Sequence, residues 1–204
     1  KISSDGVLLI GPCGAGKTVI FQQLCYGGVA ETVTSMSPAH SECTMGSKDA
    51  PKKINVIDFP GHMRQRPALL GQLSGAKGVV VVVDSSNSKQ VKEASDLLFS
   101  VLTAPLLPHS TSVLVFCNKM DVEGSKSADR VKVLLQKELE TMRNTRGSMS
   151  QEGEDGSKGS RMLGQEGRPF RFDHDMPNIT FASGTALAGE GGLSELTTFL
   201  TALC

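Results

Sequence analysis

The segment that most constrains this chain is the octapeptide G-P-C-G-A-G-K-T at residues 11–18. An apolar run at residues 7–10 precedes it and a stretch with helical spacing follows it, which predicts a strand, a loop and a helix in that order. Glycine at Gly11 and Gly16 leaves the backbone without a Cβ, so successive N–H groups are free to surround a phosphate. The octapeptide is therefore typical of a P-loop and predicts a nucleoside phosphate as the ligand.

The side chains at the end of this loop carry the charge and the hydroxyl that such a site needs. Lys17 supplies a mobile ammonium group for the outer phosphates, and Thr18 supplies a hydroxyl for the coordination shell of Mg²⁺. The N-terminus of the following helix adds a partial positive charge that favours the anion. The predicted phosphate-binding residues are Gly11, Cys13, Gly14, Ala15, Gly16, Lys17 and Thr18, and Lys17 is also a predicted catalytic residue.

A second strand-like segment, residues 53–58, ends in the phrase D-F-P-G-H. Asp58, at the carboxyl end of that strand, is predicted to hold Mg²⁺ through water. Gly61 allows its amide to approach the terminal phosphate and to sense whether that phosphate is present. His62 is a candidate for orienting the attacking water, and an exposed loop histidine without a catalytic role is the alternative. Gly61 and His62 complete the predicted catalytic residues.

A third segment predicts which base the site accepts. The tetrapeptide N-K-x-D that begins at Asn118 follows a buried apolar strand, which places it at the same edge of the sheet. The Asp121 carboxylate matches the N1–H and the exocyclic amine of guanine, a pair that adenine lacks. Asn118 reaches the base and ties neighbouring loops together, and the Lys119 stem lies over the base. After the last predicted strand, Ser183 and Gly184 place small residues and a backbone N–H near guanine O6.

Strand-like and helix-like segments alternate along the chain, and the candidate site residues follow strands. This pattern predicts an α/β fold, a doubly wound and mostly parallel sheet with helices on both faces and a site at its carboxyl edge. Residues 78–84 form an almost continuous β-branched run, which is typical of a strand buried on both faces. We expect one domain over residues 1–204, with a flexible insertion at residues 147–167, where Gly, Ser, Glu and Gln dominate.

The composition narrows the classes of function. Lysine plus arginine and aspartate plus glutamate each number 21, so no net charge draws the chain to a polyanion, and no direct nucleic acid binding is expected. The five cysteines are scattered without a C-x-x-C pair, which favours a reducing compartment and argues against a zinc site or a disulfide scaffold. The sequence also contains no apolar run of the roughly 18 residues that span a bilayer.

These motifs, in this order, resemble those of the Ras-like GTPase superfamily near its Arf/Sar branch. The resemblance is carried by residues 11–18, 34, 58–62, 118–121 and 183–185. The phrase D-x-P-G-H and a long helix ending in K-E-L-E-T-M-R-N-T-R are similar to the signal recognition particle receptor beta-subunit family. The resemblance implies the P-loop small GTPase fold, GTP or GDP with Mg²⁺, and a threonine that closes over the terminal phosphate and contributes to the Mg²⁺ shell. Thr34 is the candidate for that threonine and Thr32 is the alternative.

The same resemblance implies a partner and a membrane. In that family the GTP form binds the N-terminal domain of the receptor alpha subunit through its switch regions, in cotranslational protein targeting. In that family an N-terminal anchor holds the subunit on the cytosolic face of the endoplasmic reticulum membrane, and no such anchor is expected within residues 1–204. A soluble Arf/Sar-like GTPase in vesicle traffic and a constitutively GTP-bound assembly module are the alternatives. Slow intrinsic hydrolysis is expected because no arginine of the chain obviously completes the site.

Overall fold

A computed structural model of the chain describes residues 6–28, 35–46, 51–150, 161–165, 167–187 and 192–204, without the side chains of residues 146–150. These residues form one sheet of six strands in the order β2-β3-β1-β4-β5-β6. The strands are β1 (Gly6–Ile10), β2 (Ala39–Met45), β3 (Lys52–Asp58), β4 (Gly78–Asp84), β5 (Ser112–Asn118) and β6 (Ile179–Ser183). Only the β2–β3 pair is antiparallel in this sheet, so the carboxyl ends of the other five strands meet at one edge.

Six helices pack around the sheet in the described part of the chain. They are α1 (Lys17–Tyr26), α2 (Arg66–Gln72), α3 (Ser88–Leu102), α4 (Ala128–Ser150), α5 (Phe172–Asp175) and α6 (Ser194–Leu203). Helix α1 ends at Gly27, whose φ of 69° suits glycine, and α3 begins after Asn87, whose side chain accepts a hydrogen bond from the Lys89 N–H. None of the helices among the described residues combines the length and the apolar character needed to cross a bilayer.

The core lies in two layers, one on each face of the sheet. Strand β4 is buried at every position, and its valines alternate between the layers. Val79 and Val81 pack in the layer that α2, α3 and α4 cover, whereas Val80 and Val82 pack in the layer that α1 and α6 cover. This arrangement confirms the predicted fold class, a doubly wound, mostly parallel sheet with helices on both faces.

The structure describes both ends of the region expected to be a flexible insertion, residues 147–167, and its flexibility stays a prediction. The helix expected to end near residue 146 continues to Ser150 in α4. The Arg161 N–H donates to Thr103 O at 2.8 Å, and its guanidinium donates to Leu107 O at 2.6 Å. Leu163 is 1% exposed and belongs to the core. The polar composition of this region gives no sign that Leu163 is buried. Residues 151–160 lie outside the described part of the chain.

Cys25 and Cys43 are joined by a disulfide, whereas the scattered cysteines argued against such bonds in the sequence. Helix α1 packs across the edge strand β2, and this packing brings the two Cα atoms to 4.6 Å despite a sequence separation of 18. Cys117 is a free thiol in β5, and burial raises its pKa to about 12. The pairing depends on a contact between two elements, which cysteine spacing alone does not encode.

Candidate functional site

A cleft of about 400 Å³ opens at the carboxyl edge of the sheet. The loops that follow β1, β3, β5 and β6 meet there, so side chains from all three sequence motifs share one space. The predicted residues that line it are Cys13, Gly14, Gly16, Lys17, Thr18, Gly61, Asn118, Lys119 and Asp121. The motifs therefore form one site, as their positions after parallel strands predicted.

The glycines of the P-loop are required by packing within the protein as well as by access for a phosphate. Gly11 has a φ of 150°, and a Cβ there would overlap the Val82 carbonyl oxygen of β4. Gly16 has a φ of 95°, and its Cβ would overlap the Asn118 Nδ2 atom. A Cβ on Gly61 would lie only 2.6 Å from Gly11 O, so the loop after β3 lies directly against the P-loop backbone. These contacts leave glycine as the residue that fits at each position.

Asn118 joins three loops of the cleft. Its Nδ2 donates to Ala15 O at 2.8 Å, and its Oδ1 accepts from the Ala186 N–H at 3.0 Å. The residue is 1% exposed, so both polar atoms are buried and both are bonded. The loop-tying role predicted for Asn118 is therefore present.

Three side-chain oxygens converge beside the P-loop. The Thr18 hydroxyl donates to Asp58 Oδ2 at 2.7 Å, and the Ser35 Oγ lies 3.1 Å from Thr18 Oγ1 and 3.5 Å from Asp58 Oδ2. Asp58 is fully buried, and its Oδ1 has no hydrogen-bond partner among the described residues. Carboxylate and hydroxyl oxygens are the ligands that Mg²⁺ prefers, either directly or through water. The orphaned carboxylate oxygen and the two hydroxyls fit the predicted magnesium site.

Burial disfavours both charges at this end of the cleft. Burial lowers the pKa of Lys17 from its ordinary value, although the nearby Asp58 carboxylate raises it in part. Burial likewise raises the pKa of Asp58, while the Thr18 hydroxyl and the Lys17 ammonium oppose that change. The Lys17 Nζ meanwhile donates to Pro12 O at 2.9 Å within its own loop. A phosphate and a cation are the partners that would restore the charged forms of both groups.

Lys119 is anchored by a carboxylate that the sequence motifs did not include. The Lys119 Nζ lies 2.7 Å from Asp84 Oδ2 at the end of β4, and the Asp84 side chain is only 6% exposed. Asp84 Oδ1 also accepts from the Ser86 N–H and hydroxyl, at 3.0 and 2.6 Å. Burial would raise the pKa of Asp84, but the bonds from Lys119 and Ser86 hold it below its ordinary value. The ion pair fixes the Lys119 stem along the wall of the cleft.

The loop after β6 presents a different residue to the cleft from the one predicted. The Gly184 N–H donates to Cys117 O at 3.0 Å and so extends the pairing of β6 with β5 instead of facing the base. A Cβ on Gly184 would lie 2.8 Å from the Phe116 ring, which explains glycine here by packing. The Ser183 N–H is likewise engaged, donating to Glu195 Oε2 at 2.9 Å. Thr185 lines the cleft instead, and its hydroxyl donates to Asp121 Oδ1.

His62 lies outside the described lining of this cleft. Its Nδ1 accepts a hydrogen bond from the Arg64 N–H at 3.2 Å and so caps the short 3₁₀ turn Met63–Gln65. The side chain is exposed and lines a second cavity of about 260 Å³ between the P-loop and α3. The predicted orientation of an attacking water is therefore not prepared by His62 in this conformation. The D-F-P-G sequence at residues 58–61 fixes where the loop begins, but it does not fix the side-chain rotamer of His62.

Two predicted residues cannot be placed, and three unpredicted ones join the site. Thr34 and its alternative Thr32 lie outside the described residues. Ser35 adjoins the magnesium site, Asp84 anchors Lys119, and Thr185 contacts Asp121. Asp84 carried a detectable signal, because it ends a buried strand like the other ligand residues. Thr185 belongs to the resembling segment 183–185, although no contact was predicted for it, and Ser35 carried no signal, since a lone hydroxyl in a loop is common in proteins.

The sheet order, the P-loop after β1 and the N-K-x-D loop after β5 define a P-loop protein with the small GTPase fold. Comparison with known proteins identifies its family. The family model of the signal recognition particle receptor beta subunit matches residues 2–178. This chain belongs to the signal recognition particle receptor beta-subunit family.

Individual relatives agree with this assignment. The signal recognition particle receptor subunit beta of Mus musculus is 34% identical over 194 residues, which cover 94% of this chain and 72% of the mouse protein. The Homo sapiens protein of the same name is 32% identical over 198 residues, covering 96% and 73%. A chain in a structure of the mammalian SRP receptor superimposes with a TM-score of 0.83 at 31% identity, covering 98% of this chain and all 100% of the other. An SRb-GTP/SRX complex from Chaetomium thermophilum shares the fold with a TM-score of 0.76 at 23% identity, covering 96% of each chain.

Proposed function

We propose that this chain binds GTP and GDP with Mg²⁺ and hydrolyses GTP slowly, as a switch subunit of a signal recognition particle receptor. The observation that carries the proposal is that Lys17 and Asp121 line one cleft, and that Thr18, which also lines it, donates a hydrogen bond to Asp58 behind it. Lys17, Asp58 and Asp121 match a phosphate, a magnesium ion and a guanine base respectively. Two solved structures from Chaetomium thermophilum with the same fold are an SRb-GTP/SRX complex and an SRb-GDP-Mg structure.

Each residue has a separate task in this proposal. Lys17 donates to the outer phosphates, and the P-loop N–H groups from Cys13 to Lys17 surround them. Thr18 and Asp58 hold Mg²⁺, together with Thr34 or the adjacent Ser35, whose hydroxyl already lies near both. When bound, Mg²⁺ supplies positive charge that offsets the charge developing on the phosphates.

The base end of the cleft has its own tasks. Asp121 accepts from the guanine edge, Asn118 and Lys119 shape the base pocket, and the loop at Ser183 and Gly184 closes it without an amide donor from Gly184. Gly61 contacts the terminal phosphate through its backbone. His62 orients the attacking water only after its cap on the Arg64 N–H is released, which is consistent with slow intrinsic turnover.

The partner is the N-terminal domain of the receptor alpha subunit, bound in the GTP form through the switch regions during cotranslational targeting. Membership of the beta-subunit family supports a signal recognition particle receptor as the assembly, and a protein with the same fold from Chaetomium thermophilum forms an SRb-GTP/SRX complex. Met36 and Met63, 84% and 68% exposed, lie after the segment that holds Thr34 and after Gly61 respectively, where a nucleotide-dependent partner would contact them. We place this subunit at the cytosolic face of the endoplasmic reticulum membrane, with residues 1–204 acting as one GTPase domain.

The nucleotide assignment is tested by base selectivity. We expect the native chain to bind GDP tightly and ADP weakly, because an adenine would leave the Asp121 carboxylate unpaired. Asp121→Asn should transfer preference from guanine to xanthine nucleotides, since the amide presents a donor in place of an acceptor. Unchanged selectivity for GDP in the variant would remove Asp121 from the base pocket and with it the core of the proposal.

The switch assignment is tested by binding and by turnover. We expect the alpha-subunit N-terminal domain to bind the chain loaded with GTP and not with GDP. Equal binding in both states would contradict the switch while leaving nucleotide binding intact. Single-turnover hydrolysis then separates an enzyme from a constitutively GTP-bound assembly module, because only the module keeps its GTP over days in the complex.

A further inference from the structure

Gln90 belongs to none of the sequence motifs, but its side chain is bonded to the P-loop. It lies in the first turn of α3, which the buried Val91 and Ala94 pack against the sheet. The Gln90 Nε2 donates to Cys13 O at 3.0 Å, across 77 positions of the sequence. The same amide adjoins Gly14, where a Cβ would lie 3.4 Å from Nε2. Helix α3 therefore contacts the predicted phosphate-binding loop through this side chain.

The chemistry of the two partners determines the orientation of the Gln90 amide. A backbone carbonyl oxygen only accepts hydrogen bonds, so the amide nitrogen and not the amide oxygen has to face Cys13 O. This orientation leaves Gln90 Oε1 buried and without a hydrogen-bond partner among the described residues. A buried acceptor without a partner is unfavourable, so the contact with Cys13 is the interaction that holds this amide in place.

The peptide bond between Cys13 and Gly14 is the part of the loop that this contact controls. Both residues are exposed, so packing does not fix the peptide. Gly14 has a φ of 77° and no Cβ, so rotation of this peptide costs little. In a planar trans peptide the C=O and the N–H point in opposite directions. Because Gln90 holds Cys13 O towards α3, the Gly14 N–H points away from α3, and it has no hydrogen-bond partner among the described residues.

The direction of this peptide decides whether the loop attracts or repels a phosphate. Gly14 lines the cleft, and an N–H that faces a phosphate oxygen donates a hydrogen bond to it. A carbonyl oxygen in the same place would repel the anion. Another carbonyl of the loop, Ala15 O, is held by Asn118 Nδ2 at 2.8 Å. Gln90 thus supplies from α3 the kind of contact that Asn118 supplies from the end of β5.

We infer that Gln90 is a positioning residue for phosphate recognition, because it holds the peptide between Cys13 and Gly14 with its N–H free to donate to the phosphates. This inference rests on the proposed guanine-nucleotide function. That function assigns the N–H groups of the P-loop to the outer phosphates. Loss of the Gln90 amide should therefore weaken the binding of GDP and spare GMP, which carries only the phosphate next to the ribose.

The experiment compares Gln90→Met with the native full chain. Methionine keeps the length and the unbranched shape of glutamine without the amide. We expect the affinity for GDP to fall by roughly 5- to 20-fold and the affinity for GMP to stay unchanged, so the GDP-to-GMP affinity ratio falls by the same factor. Competition against a fluorescent GDP analogue measures both affinities. A general loosening of the cleft would instead lower both affinities and leave their ratio unchanged.

The amide resonance of Gly14 provides a second measurement, in isotope-labelled protein. A hydrogen bond to a phosphate moves an amide proton downfield. We expect that shift when GDP binds the native chain, and a smaller one when saturating GDP binds Gln90→Met.

Gln136→Met is the matched control, because Gln136 is half-buried like Gln90 and lies on α4, which packs on the same face of the sheet as α3. We expect it to leave both affinities unchanged. An unchanged GDP-to-GMP ratio in Gln90→Met, or an undiminished shift of the Gly14 amide, would overturn the inference while guanine binding by the native chain stands. Failure of the native chain to bind GDP at all would instead contradict the proposed function, and the inference with it.

Discussion

The two halves of the cleft differ in how far the protein satisfies its own polar groups. At the base end, Asn118 makes two buried hydrogen bonds, and Lys119 is paired with Asp84. Asp121 accepts a hydrogen bond from Thr185. Every side chain that would read the base therefore has a partner within the protein, and its position is set before a nucleotide arrives.

The phosphate end is left incomplete by the protein. Burial lowers the pKa of Lys17 and raises the pKa of Asp58, so it favours the neutral form of each side chain. Asp58 Oδ1 also has no hydrogen-bond partner among the described residues. A buried charge without a partner costs stability, so this end is built for ions that come with the nucleotide. The side chains at the base end are positioned before the base binds, whereas the phosphate end gains stability only when the phosphates and their cation bind.

Among the four substitutions, Lys17→Met should cause the largest change, and that change should be a loss of nucleotide affinity without a loss of stability. We expect nucleotide affinity to fall by about 100- to 1,000-fold, because a charge-assisted contact to phosphate is lost. The unfolding midpoint of the nucleotide-free protein should stay equal or rise, since the lysine is buried with its charge disfavoured. Isothermal titration with GDP and thermal unfolding measure the two quantities. Lys77→Met, at an exposed position beside the other edge of the sheet, should change neither.

Asn118→Ala should act on folding as well as on binding. The change leaves the Ala15 carbonyl and the Ala186 N–H without their buried partner, so we expect a loss of about 2 to 3 kcal/mol in the free energy of unfolding. Denaturant unfolding of the nucleotide-free protein provides the measurement. Asn178→Ala removes side-chain hydrogen bonds at the opposite edge and should lower stability without lowering GDP affinity. A Lys17→Met variant as unstable as Asn118→Ala would remove the contrast between the two ends.

The backbone of the site was predictable because each ligand motif is local in sequence. The P-loop, the aspartate after β3 and the N-K-x-D loop each need only a few consecutive residues after a buried strand, and parallel strands bring their ends together. Apolar runs such as residues 78–84 predicted the central strands for the same reason. Local patterns and the geometry of a parallel sheet were sufficient for most of the fold and for Lys17, Asp58 and Asn118.

The features of the fold and site that the sequence did not predict depend mostly on contacts between elements that are distant in sequence, and in one case, at His62, on a local capping bond. The Gly184 amide was expected to face the base, but the pairing of β6 with β5 continues one residue further and uses it. Thr185 reaches Asp121 only because two strand ends adjoin. The rotamer of His62 depends on a capping bond that no spacing encodes. Leu163 is a buried apolar residue in a mostly polar segment, and its burial follows from the space that the rest of the domain leaves.

Asp58→Asn should stabilise the nucleotide-free protein and weaken its response to Mg²⁺. A carboxylate whose pKa is raised by folding contributes stability below its ordinary pKa and loses it as pH rises through the folded value. At neutral pH the native protein therefore carries a penalty that asparagine avoids, and we expect a gain of about 1 kcal/mol that shrinks in acid. Unfolding measured from pH 4 to 7 tests this. A variant less stable than the native protein at pH 7 would contradict the description of an incomplete phosphate end.

Among the four substitutions, Asp84→Asn should cause the smallest change. Its effect on the free energy of unfolding should depend on pH in the opposite sense to that of Asp58→Asn. Folding lowers the pKa of Asp84, so its contribution is present above the ordinary value and is lost as pH falls through the folded one. We expect a loss of about 1 kcal/mol at pH 7, because Lys119 is still partly exposed to solvent, and no difference in strong acid. Asp173→Asn, which breaks an exposed ion pair with Lys132, should cost less than Asp84→Asn at pH 7. If Asp84→Asn instead gains stability at pH 7, the base end is not self-satisfied, and the two ends of the cleft follow one rule.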